Sequence, residues 1–175
     1  MDFRDLLVDA FGRIRDATHG AVEGCSAAVL CFRLDDDANS IAWLVWHLTR
    51  IQDDHVAGVA GTEQVWTKAG WVDRFALPFE SSATGYGHRS AEVAAVVASG
   101  DLLLAYHDAV HDATVAYVRG LAPGDLDRIV DERWDPPVSL AVRLVSVVAD
   151  DLEHAGQAAF VRGLAERSLG ISLDS

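Results

Sequence analysis

The sequence predicts an all-α fold, a four-helix bundle with a long, partly irregular connection between its second and third helices. Three observations predict it. Four long segments carry apolar residues at helical spacing. No stretch shows the sustained alternation of a strand or a glycine-rich phosphate loop, and the breaks fall at residues that cap or stop helices. The 175 residues suit one domain, residues 1–175, long enough to bury a proper core.

The first helix covers residues 3 to about 19, where Leu6, Leu7, Ala10, Phe11, Ile14 and Ala17 recur with Asp and Arg between them. Its continuation through Val22 to Val29 is opposed by Gly20 and Gly24. Leu34 to Asn39 is a solvated loop, and Asn39 or Ser40 caps a second helix running from Ile41 to about Val56. Residues 58–89 have no sustained period, yet Trp66, Trp71 and Phe75 need burial. That connection is expected either to fold over the helices and wall a pocket or to plug the open end of the core. Ser90 caps a third helical region from Ala91 to about Gly120, kinked near Ser99-Gly100-Asp101. Leu121 to Leu126 is a stop and turn, and Asp131 to Pro137 an extended linker. Val138-Ser139 opens the last helix, which runs to about Arg167.

Charge narrows the functional classes. There are 27 acids against 14 bases, a formal net charge of −13. Such a chain repels phosphate backbones and anionic lipid, so neither nucleic acid nor a membrane is an expected partner. No apolar run reaches the roughly 18 residues of a membrane span. The N-terminal Met1-Asp2-Phe3-Arg4-Asp5 is unlike a signal peptide. Cys25 and Cys31 lack C-x-x-C spacing and read as small buried hydrophobes, which suggests reduced thiols and a cytoplasmic location.

The chemistry concentrates in the last helix. After the apolar run Val138 to Val148 come Asp150, Asp151, Glu153, His154 and Gln157, where a core should continue. At about 100° per residue, Asp150, His154 and Gln157 share a face. A buried helix carries such a cluster only if something pairs with it. The second helix supplies a partner, His47, inside the apolar stretch Ser40 to Leu48. His47, Asp150 and His154 together make a three-ligand metal site with open positions, the arrangement of catalytic metals. Asp151, three residues before His154, competes as the carboxylate ligand. Further along the second helix, Gln52-Asp53-Asp54-His55 either leaves the core for solvent or lines the pocket. His107 and His111 are expected to face solvent beside Asp108 and Asp112, because no glutamate base stands between them as in a zincin motif.

The stretches Asn39 to Leu48 and Asp150 to Gln157 resemble the DinB-like (DinB/YfiT) superfamily, whose last helix carries [His/Glu/Asp]-x-x-x-His-x-Gly-Gln. That superfamily includes the metal-binding domain of mycothiol-dependent maleylpyruvate isomerase. The resemblance implies a four-helix bundle holding a divalent metal, nickel or zinc, with ligands at His47, Asp150 and His154. Aspartate at position 150 departs from the histidine or glutamate of many relatives and has a shorter reach. The implied chemistry is S-transfer from mycothiol or bacillithiol to a small electrophile through a metal-stabilised thiolate. Gln157 then orients a ligand, and Asp54 or His55 handles protons. The alternatives are a metal-dependent hydrolase and a non-enzymatic, metal-binding or structural bundle. A homodimer is a further expectation, since such bundles pair through apolar outer stripes.

Overall fold

Asp2 opens the first helix, α1 (Phe3–Val22). Its carboxylate accepts the amides of Arg4 and Asp5, and the Asp5 carboxylate accepts the Asp2 amide in return, so these orphan donors of the first turn are satisfied. The computed structural model describes residues 2–171. Here α1 stops a turn beyond its predicted end, and Gly24, with φ at 74°, turns the chain. Ser26 then caps a separate short helix, α2 (Ala27–Leu30).

Ser40 caps α3 (Ile41–Ala60), its hydroxyl accepting the Trp43 amide at 3.1 Å. This helix outlasts its predicted end by a turn and closes on left-handed Gly61. Within the connection lie α4 (Val65–Lys68) and α5 (Trp71–Phe75). The third helical region is two helices rather than one with a kink: α6 (Ser90–Ala95) and α7 (Gly100–Gly120). Ser99 is extended and caps α7 at the Leu102 amide, so the chain restarts there instead of bending. Ser90 is the first helical residue of α6, and the capping position falls to Arg89.

The expectation of no strands is corrected. β1 (Ile129–Asp131) and β2 (Val138–Ser139) form a small antiparallel pair beside a 3-10 turn at Pro123–Asp127. Strands of two and three residues are too short to show alternation in sequence. Ser139 caps the last helix, α8 (Leu140–Ser168).

The fold is thus mostly helical, with α3 and α1 each packed against both α7 and α8. Every residue from Ile41 to Arg50 is buried, so α3 is the most enclosed element. Trp66, Trp71 and Phe75 close around Tyr106 with ring centroids 5.1, 5.4 and 5.7 Å away. Each contributes on the order of 1.5–3 kcal/mol through burial. The aromatic part of the connection therefore plugs the core. Among the described residues no helix is long and apolar enough to cross a membrane.

His107 contradicts its expected exposure: it is wholly buried, with Nδ1 3.1 Å from Thr49 Oγ1. His111 on the next turn is half-buried. The alternating acids concealed this, because Asp108 turns to Arg15 and His19 on α1 and Asp112 to solvent while His107 faces α3. Burial pushes the His107 pKa down to about 3, against about 6.5 unfolded. Between those values the unfolded chain binds the extra proton, so stability rises with pH across that window. Acidification from neutrality should lower unfolding stability with a slope approaching about 1.4 kcal/mol per pH unit from this residue. Chemical denaturation of His107→Phe at pH 7 and pH 5 checks it: the variant should lose a smaller share of its stability on acidification.

Candidate metal centre

The antiparallel pair α3 and α8 brings two distant stretches of sequence together. The His47 and His154 rings meet nearly edge-on, with centroids 4.9 Å apart at 71°. One ligand atom from each of His47, Asp150 and His154 lies within 4.8 Å of the others. His154 Nε2 is 3.8 Å from Asp150 Oδ1. Atoms each about 2.1 Å from a tetrahedral ion stand about 3.4 Å apart, so small side-chain adjustments suffice.

Both imidazoles are oriented by what their other nitrogen does. His47 Nδ1 donates to the Thr84 carbonyl at 2.5 Å, and His154 Nδ1 pairs with Gln157 Oε1 at 3.0 Å. Each bond fixes the tautomer that leaves Nε2 with a free lone pair, the usual support behind a metal-ligating histidine. Burial lowers the His47 pKa, partly offset by the Thr84 carbonyl, and a neutral imidazole is the form that coordinates. Asp150 Oδ2 is buried without a hydrogen-bond partner. An orphaned carboxylate oxygen beside two free imidazole lone pairs fits a cation. The residues present therefore suit a divalent metal.

The second half of the connection serves this centre. Gly85, at φ 96°, passes so close that an added Cβ would stand 2.7 Å from His47 Nδ1. Only glycine combines that backbone angle with that approach. Arg50, fully buried on α3, donates from Nε to the Ala83 carbonyl at 3.0 Å and from Nη1 to Gln64 Oε1 at 2.7 Å. Asp53 accepts the Val65 and Trp66 amides at 2.9 and 2.8 Å and the Tyr106 hydroxyl at 2.9 Å. These bonds pin the connection to α3 at Gln64–Trp66 and at Ala83, immediately before Thr84 and Gly85. The Trp43 indole stacks on His47 at 4.6 Å and 17° and meets His154 edge-on at 6.4 Å. Its Nε1 donates to His88 Nδ1 at 3.2 Å.

The other sequence-selected residues divide. Asp151 is wholly buried and lies outside the ligand group; burial, with Asp150 beside it, pushes its carboxyl well above the usual range. Gln157 lies beside His154 as its orienting partner. Asp54 and His55 are not in the ligand group and line a separate polar cavity lower on the α3–α8 seam. His55 Nδ1 is 3.3 Å from Arg143 Nη1, and Asp54 accepts from Gln64 Nε2 at 2.7 Å. Cys25 and Cys31 are half-buried, and burial raises both thiol pKa values.

Sequence reasoning missed Trp43, Arg50, the Thr84 carbonyl and Gly85. An arginine within an apolar run was a signal for Arg50, and the Gly85-Tyr86-Gly87 triplet one for a close backbone approach. A carbonyl acting as a hydrogen-bond acceptor leaves no sequence signal.

A sequence model described as the DinB superfamily matches residues 10–158, a span that contains His47, Asp150 and His154. The chain belongs to the DinB superfamily. The crystal structure of a conserved protein from Enterococcus faecalis is similar to this DinB-superfamily chain at 28% identity. The match covers 94% of this chain and 98% of that one, with a TM-score of 0.88. No curated protein matches it.

Proposed function

We propose that the protein is a divalent-metal-dependent thiol S-transferase that joins a low-molecular-weight thiol of the mycothiol type to small electrophiles. One observation carries the reading: two histidines and one carboxylate converge from facing helices with both Nε2 atoms unclaimed, while the Asp150 side chain remains 41% exposed. Three protein ligands with an open side suit catalysis rather than structural closure. His47, Asp150 and His154 would hold nickel or zinc, which when bound supplies Lewis acidity that favours the thiolate form of a thiol.

The chain's own residues supply the rest. Gln157 positions His154, and the Thr84 carbonyl positions His47. The Trp43 face excludes water from one side of the centre. His55 on the same seam, whose pKa burial and then Arg143 lower, would take a proton only on release of its Nδ1 from Arg143.

The test uses cobalt(II)-loaded protein. Addition of mycothiol, or cysteine as a simple thiol, should produce a sulfur-to-cobalt charge-transfer band, and mycothiol should support conjugation of a generic electrophile such as monobromobimane above the metal-free rate. Bound cobalt whose spectrum no thiol alters would overturn the transferase reading.

A further inference from the structure

A second polar concavity lies on the same seam, and the metal centre does not account for it. Its volume is about 480 Å³. Arg128, Arg133 and Arg143 line it, with His55, Asp54 and Asp131. In a chain of net charge −13, the meeting of three guanidinium groups in one cavity is against the general composition. Both carboxylates in its wall are already engaged. Asp131 accepts from Arg133 Nε and Nη2, each at 2.9 Å, and from Arg143 Nη2 at 3.0 Å. Asp54 accepts from Gln64, as above.

Arg128 differs from the other two. Among the described residues it has no carboxylate partner; its Nη2 donates to the Val59 carbonyl at 3.0 Å and the Tyr117 hydroxyl at 3.1 Å. Neutral acceptors hold the guanidinium in place and leave its charge uncompensated. Its Nε and Nη1, and Nε of Arg143, have no protein acceptor among the described residues. Held guanidinium groups with unspent donors match the two-oxygen fork of a carboxylate. Three cations against two anions suit a single negative charge, whereas a doubly charged phosphate would meet Asp54 and Asp131 at greater cost. Arg143 lies seven residues before Asp150, about 10 Å along the same face of α8.

We propose that this cavity binds the carboxylate of a small organic molecule, the anionic end of the compound on which the metal centre acts. The second clause rests on the function proposed above; the binding itself does not.

The test is therefore made on metal-free protein. Arginine Nε–H resonances are followed while propionate, propionamide or inorganic phosphate is added. Propionate should shift the Arg128 and Arg143 resonances saturably, and propionamide should not. Arg128→Gln, which removes an exposed side chain, should weaken propionate binding about tenfold, the scale of one charge-assisted hydrogen bond. Its metal content should stay unchanged. No saturable shift, or equal affinity in Arg128→Gln, would overturn the site. Phosphate binding without propionate binding would overturn the carboxylate class.

Discussion

His154→Ala should lose stoichiometric divalent metal, with affinity falling by more than the roughly 10–100-fold typical of losing an outer-shell partner. His47→Ala should do the same, because each histidine is one of the three candidate ligands that the described residues bring together. Gln157→Ala removes the acceptor at His154 Nδ1 but no ligand, so its loss should lie within that 10–100-fold range. The grading separates ligands from positioning residues. Competition titration against a chromophoric chelator measures all three. Equal, small losses across the set would place the metal elsewhere.

Asp53→Ala should cost about 3–5 kcal/mol of unfolding free energy, the scale for breaking a buried charge pair by removing one partner. Asp53 Oδ2 is 3.8 Å from Arg50 Nη1, and both side chains are almost completely enclosed. The variant strands the Arg50 guanidinium, the Val65 and Trp66 amides and the Tyr106 hydroxyl together. Asp9→Ala is the control: its partner Arg13 is exposed, and such pairs contribute about 0–1 kcal/mol. Urea unfolding of both variants decides it. Comparable small losses would mean that Asp53 does not anchor the connection.

The two long-range facts that matter most, α3 against α8 and His47 against His154, were legible because both stretches interrupt strong apolar helices with ligand-type side chains. Asp150 was legible as the residue one helical turn before His154 on the same face. The complete burial of its neighbour Asp151 was not, because only packing decides it. The same limit explains His107, whose acidic neighbours disguised an inward-facing position. The break at Ser99 and the short strands depend on a few backbone angles that periodicity does not register. The support behind His47 comes from a carbonyl and a glycine 37 and 38 residues away in sequence, reached only through the folded connection.

The central claim is that His47, Asp150 and His154 hold one divalent metal. Elemental mass spectrometry of protein purified without a histidine tag, alone and after incubation with nickel or zinc followed by desalting, tests it most directly. The structure predicts close to one ion per chain, absent from His154→Ala treated identically. A native chain that stays empty after incubation, or a His154→Ala chain that stays loaded, would contradict it.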